Sequence, residues 1–163
     1  MGIGMKKLTA TVLALVLLLA SLTSAFSVYA ASVTPITKQA ELTAALKNGG
    51  QYKITSAFVG AKEVPIENDV TIDGGGNEIR AIAAGMGAVL YQNEWIASDF
   101  SNVHFTGKEK QEIGIWVGAG TMTLNNCRVD GYSITTDRLA AFGVGGGGNL
   151  VLNNTVFENN SLY

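Results

Sequence analysis

One cysteine, one histidine and two prolines in 163 residues narrow the possibilities at once. Cys127 has no partner within the chain, so no internal disulfide supports the fold, and packing and hydrogen bonds must do so instead. A single His and a single Cys fall short of an ordinary zinc ligand set. Charge is sparse at 15% of residues, and no basic cluster occurs, so nucleic acid is not an expected partner. What is plentiful is glycine, with 20 residues. Much glycine and asparagine with little proline suits many tight turns between short strands better than helices.

The N-terminus reads as a targeting segment. Met5-Lys6-Lys7 is a basic start, and Leu8–Leu22 is an almost unbroken apolar run. Val28-Tyr29-Ala30 then supplies small residues at the −3 and −1 positions of a signal-peptidase site, which predicts cleavage after Ala30. The apolar run is shorter than the roughly 20 residues a spanning helix needs, so no membrane span is expected once the signal is removed. The mature chain, 31–163, loses Lys6 and Lys7 from its 11 basic residues and keeps 13 acidic ones, a net charge near −4. It is long enough for one domain with its own core. The segment 31–50 is expected to be a linker and a capping helix, and 51–163 the repeated body.

Four segments in that body align: Asp69–Gly74, Asn102–Gly107, Asn126–Gly131 and Asn154–Asn159. Their starts, at 69, 102, 126 and 154, lie 33, 24 and 28 residues apart. Such periods belong to solenoid coils with loops of unequal length. Each segment alternates apolar and polar residues, the signature of a strand with one buried face. Stacking them predicts two inward columns, Val70/Val103/Cys127/Thr155 and Ile72/Phe105/Val129/Phe157. The outward columns become Thr71/His104/Arg128/Val156 and Asp73/Thr106/Asp130/Glu158. Gly74, Gly107, Gly131 and Asn159 follow the strands, so a bend is expected at one recurring height. Asn125-Asn126 and Asn153-Asn154 turn the chain into the strand. The expected fold is all-β, a right-handed parallel β-helix solenoid.

The stretch Thr37–Lys47 differs. Leu42, Ala45 and Leu46 fall on one helical face, and Asn48-Gly49-Gly50 ends the run. A short helix here is expected to cap the first coil. The last coil is expected to be open and incomplete at Tyr163, with a C-terminal continuation or an oligomer partner covering it. Residues 143–148 contain G-x-G-x-x-G. A dinucleotide loop opens a helix, and a phosphate loop needs Lys-Ser/Thr after the glycines. Here Asn149-Leu-Val-Leu follows, so the glycines read as a flexible bend between strands.

The stretch ELTAALKNGG…YKIT…VTIDGGGNEI resembles the N-terminal cap and first coil of pectate-lyase-like β-helix proteins. Residues 143–160, GVGGGGNLVLNNTVFENN, resemble the repeat of polymorphic outer-membrane proteins, with its glycine run, apolar strand and F-x-x-N at Phe157–Asn160. The resemblance implies an exported, displayed bacterial protein, an adhesin or a polysaccharide-acting domain. In lyases of this kind Ca²⁺ binds an acidic sugar and a basic side chain removes a proton.

Candidate binding residues follow. Asp130 and Glu158, in one column of adjacent coils, approach closely enough to share a Ca²⁺ through carboxylate oxygens, although two carboxylates lack further donors. Arg128 lies two residues from Asp130. His104 points outward with no nucleophile beside it. Tyr91 and Trp95 bracket a loop that projects from the stack and offers flat rings to a pyranose. Tyr132 and Trp116 are further aromatic candidates, with Trp116 expected to face the core opposite Phe142. Cys127 is expected to be a buried, inert thiol. Asn153-Asn-Thr155 and Asn159-Asn-Ser161 match glycosylation acceptors. The expectation is a secreted or surface-displayed, non-catalytic domain that binds a polysaccharide or a cell-surface partner. The alternative is the N-terminal part of a polysaccharide lyase or hydrolase.

Overall fold

Short strands alternate with sharp bends along the chain, and among the described residues every strand pairing is parallel. The computed structural model describes residues 33–60, 64–80, 90–107, 114–134 and 142–162; the predicted signal segment lies outside them. In chain order the elements are β1 (Thr34–Ile36), α1 (Gln39–Asn48), β2 (Gly50–Ile54), β3 (Phe58–Val59), β4 (Pro65–Ile66), β5 (Val70–Asp73), β6 (Glu78–Arg80), β7 (Leu90–Gln92) and β8 (Ala97–Ser101). There follow β9 (His104–Thr106), β10 (Ile115–Asn125), β11 (Arg128–Asp130), β12 (Ser133–Ile134), β13 (Phe142–Asn153), β14 (Val156–Glu158) and β15 (Ser161–Leu162).

Strands that are neighbours in space are well separated in sequence. One ladder runs β1-β2-β5-β8-β10, with β13 on the far side of β10. A second runs β4-β7 and joins the first residues of β10, so β10 and β13 each serve two ladders. The separate sheet β3-β6-β9-β11-β14 collects the strands that follow the next bend. The chain is therefore predominantly β, with parallel strands in curled sheets, as its alternation and turn residues predict.

The register corrects the alignment of the first repeat. Asp69–Gly74 pairs with 97–101, so that Ile72 stands beside Phe100 and not beside Phe105. The partner of His104–Thr106 is β6, with Glu78 beside His104 and Arg80 beside Thr106. The inward columns are thus Ile72/Phe100/Leu124/Leu152 in one sheet and Ile79/Phe105/Val129/Phe157 in the other. Both strands alternate and both precede a bend, so local pattern could not tell them apart; only the pairing does. Thr71 and Asp73 accordingly leave the outward columns, and Glu78 and Arg80 replace them. The later segments align as expected, with Arg128 and Asp130 flanked by His104 and Thr106 on one side and by Val156 and Glu158 on the other.

The core is a single cluster in which Ile72, Ile79, Phe100, Phe105, Leu124 and Val129 are fully buried. Phe100 and Phe105 come from different sheets and meet edge to face, with centroids 6.2 Å apart. Bends between the sheets are made by Asn102, Asn126 and Asn154, all with φ near +50°. Asparagine tolerates this left-handed conformation better than other non-glycine residues. Its side chains also pair across the ladder: Asn154 Nδ2 donates to Asn126 Oδ1 and Asn153 Nδ2 to Asn125 Oδ1, each at 2.8 Å.

Helix α1 buries Leu42, Ala45 and Leu46 against the core, as its pattern predicts. Gly49, at φ +69°, ends it and donates to Ala45 O at 2.9 Å. Asn68 Nδ2 caps Lys47 O at 2.6 Å. Both prolines of the chain lie here, Pro35 in β1 and Pro65 in β4. Each of those strands pairs on one side only, the place where a missing N–H does no harm.

Replacing Phe105 by Ala should cost about 3–5 kcal/mol, because the residue is fully enclosed and anchors both sheets. Urea unfolding would show this as a lower midpoint with an unchanged slope. A cost below about 1 kcal/mol would mean that Phe105 is not a core residue.

Candidate functional site

Two outward faces gather side chains with chemistry. The first is built on glycines. On the outer side of the β4-β7-β10-β13 ladder, Pro65, Tyr91, Trp116 and Gly143 stand in register. Ile115 and Val117, on either side of Trp116, are fully buried, so Trp116 faces out. This corrects its expected inward placement: Phe142 pairs with Ile115, one residue away from the expected match.

The glycine run is not a bend. Gly143–Gly148 lies inside the twelve-residue strand β13, and its run of glycines accommodates two indoles. A Cβ on Gly143 would sit 2.6 Å from Cε3 of Trp116, and one on Gly145 would sit 2.9 Å from its Cζ2. A Cβ on Gly147 would sit 2.6 Å from Cη2 of Trp95. Bare backbone at these three positions therefore forms the bed on which both rings lie. A Cβ on Gly146, where the register slips, would meet nothing within 4 Å.

Trp95 is held there although 79% of it is exposed. Its loop, 93–96, is fastened from beneath by Gln92, which is completely buried. Gln92 Nε2 donates to Ile96 O at 3.1 Å and to Ala119 O at 3.0 Å. Ser98 Oγ donates to Gln92 Oε1 at 2.5 Å. Gly120, at φ +70°, leaves room for the same loop: a side chain there would strike the backbone oxygens of Ile96 and Glu94. Tyr91 and Trp116 thus stand side by side in register, and Trp95 lies over Gly147 on the next stretch of β13, its loop fastened by the buried contacts of Gln92. Tyr91 and Trp95 were legible candidates. The role of the glycines was not, because nothing in a glycine run says which ring will lie upon it.

The second face carries the charged residues of β6, β9, β11 and β14. Arg128 Nε lies 2.7 Å from Glu158 Oε1, and Arg128 Nη2 lies 2.8 Å from Asp130 Oδ2. The guanidinium thus bridges the two carboxylates named as calcium candidates. Among the described residues no group of three or more His, Cys, Asp or Glu is placed to hold a metal ion. His104 is not isolated: its Nε2 lies 3.2 Å from Asp130 Oδ1, though outside hydrogen-bonding geometry. Glu78 accepts from Thr106 Oγ1 at 2.6 Å and from Arg80 Nε at 2.8 Å, and both contacts hold its carboxyl below the usual range. Asp73, on the other sheet, is likewise lowered, chiefly by Asn102 and the Gly75 amide.

Two further expectations resolve differently. Tyr132 is fully buried, its hydroxyl has no partner, and burial pushes its pKa well up, so it offers nothing to a ligand. Cys127 is buried and unpaired, as expected, and burial raises its thiol too.

No family model, no curated protein and no solved structure matches this chain. No helix among the described residues is long and apolar enough to cross a membrane.

Replacing Gly147 by Val should expel Trp95 from its bed and weaken the near-ultraviolet circular dichroism of tryptophan, whereas Gly146→Ala should leave it unchanged. Equal spectra for both variants would contradict the packing. Acid should also act in a set direction. A carboxyl lowered in the folded state contributes stability above its unfolded pKa, and this is lost as pH falls through the folded value. Stability from Asp73 and Glu78 therefore persists down to about pH 5 and declines below it. Asp73→Asn and Glu78→Gln should each shallow that decline in urea midpoints.

Proposed function

We propose that this chain is an exported surface domain, adhesin-like and non-catalytic, that binds a glycan across the strip of Tyr91, Trp116 and Trp95. The observation that carries the reading is Trp95, largely exposed yet fitted to Gly147 and fastened by a buried glutamine. A large apolar ring held rigidly in solvent has little to contribute to folding, and suits a surface that presses against a partner. Its flat face matches the apolar face of a pyranose, and rigidity spares the ligand the cost of ordering it.

The fold reading that goes with this is a right-handed parallel β-helix of the pectate-lyase-like kind. It is supported by the parallel register, by strands that alternate between sheets along the chain, and by the right-handed preference of parallel crossovers. The N-terminal segment, with its basic start and apolar run, supports export to the cell surface or the medium. A lyase needs a basic group free to take a proton. Arg128, committed to two carboxylates, argues against that alternative.

The chain has only two tryptophans, and both lie in the strip, so intrinsic fluorescence reports on the site directly. Titration against a panel of neutral and acidic polysaccharides should quench or shift the emission for at least one of them. Trp95→Ala should then weaken binding about tenfold or more, the effect of losing on the order of 2 kcal/mol of apolar contact. A full panel without any fluorescence change, or a ligand bound equally well by the variant, would sink the reading.

A further inference from the structure

The two indoles stand in line along β13, one after the other. The six-membered ring of Trp116 runs from Gly143, where a Cβ would meet Cε3 and Cζ3, to Gly145, where it would meet Cζ2 and Cη2. The far side of Trp95, through Cη2, Cζ2 and Cζ3, lies over Gly147. From the middle of 143–145 to 147 is about three residues, or about 10 Å at the rise of a strand.

Between the rings the surface is polar. Val117 pairs with Val144 and Ala119 with Gly147, so Gly118 stands level with the gap. A Cβ on Gly118 would strike Asn93 Oδ1 and sit 3.0 Å from Trp116 Nε1. The missing side chain thus brings an exposed amide and an indole N–H to one spot. Past Trp95, the outward positions of β10 and β13 carry hydroxyls and amides, with Thr121 beside Asn149 and Asn125 beside Asn153. The charged residues of β8, β10, β13 and the loop 93–96 are Glu94, next to Trp95, and Asp99, in register with Thr123; both are acidic.

We infer that this face takes the interior of a neutral, extended β-(1→4)-linked polysaccharide, laid along β13 and held by at least three consecutive sugars. The inference rests on the glycan reading and specifies its ligand. In an extended β-(1→4) chain each sugar is turned over relative to the next, so every second sugar offers the same face on one side. Sugars in such alternate positions are about as far apart as the two indoles. The first stacks on Trp116 and the third on Trp95. The middle sugar turns its hydroxyls to the Asn93 amide and the Trp116 N–H, which supply both an acceptor and donors. A disaccharide reaches only one of the two rings. The carboxylates of an acidic chain would meet Glu94 and Asp99, and like charges repel.

Calorimetric titration against chain length tests this. The probes are cello-, xylo- and manno-oligosaccharides from the disaccharide upward, with oligogalacturonates of equal length as the acidic counterpart. For at least one neutral series, affinity should rise about tenfold or more between disaccharide and trisaccharide, and the oligogalacturonates should bind more weakly than that series at every length. Trp95→Ala should abolish the step and leave disaccharide affinity little changed. Trp95 is largely exposed, so the variant is expected to keep its far-ultraviolet circular dichroism. Should it lose its fold, the length series and the acidic comparison on the unaltered protein decide alone. Affinity independent of length, oligogalacturonate bound as tightly as any neutral series, or a step that survives Trp95→Ala would overturn the inference and leave a glycan site standing. Silence toward all the neutral series overturns it too; if the wider panel of polysaccharides is also silent, the glycan reading falls with it.

Discussion

In-register parallel pairing is the constraint on which everything else here depends. Because each strand sets its residues beside their counterparts one pass away, like stands on like: Ile72, Phe100, Leu124 and Leu152 in one sheet, Ile79, Phe105, Val129 and Phe157 in the other. Inside, this makes continuous apolar columns that need no disulfide. At the bends it places Asn over Asn, where the amides satisfy each other and the φ values stay close to +50°. Outside, it lines up whatever the alternate positions carry.

Two outward faces show what that alignment does with different residues. Where charges are stacked, they pair: Arg128 bridges Asp130 and Glu158, with His104 at the margin. Where aromatic residues meet glycines, the glycines yield. Trp116 and Trp95 reach sideways across β13 because Gly143, Gly145 and Gly147 have no side chain in the way.

Both prolines of the chain lie in β1 and β4, strands that each pair on one side only, beside α1. There the missing N–H breaks no ladder, and the helix covers the strands it lies against.

The sequence by itself determined the predominance of β structure, the position of α1, the inward placement of Cys127, and the later repeats that bring Arg128, Asp130 and Glu158 together. These rest on local signals: alternation of period two, a helical face ending at Gly49, and asparagine and glycine at bends. Other features were decided only by tertiary structure. Asp69–Gly74 has the same alternation and the same closing glycine as Asn102–Gly107, yet pairs with a different strand, and no local pattern ranks one partner above the other. The outward side of Trp116 depended on a one-residue shift in register, which reverses every side chain. The glycine run, a flexible bend by composition, became a strand because two indoles elsewhere in the chain fill the space its missing side chains leave.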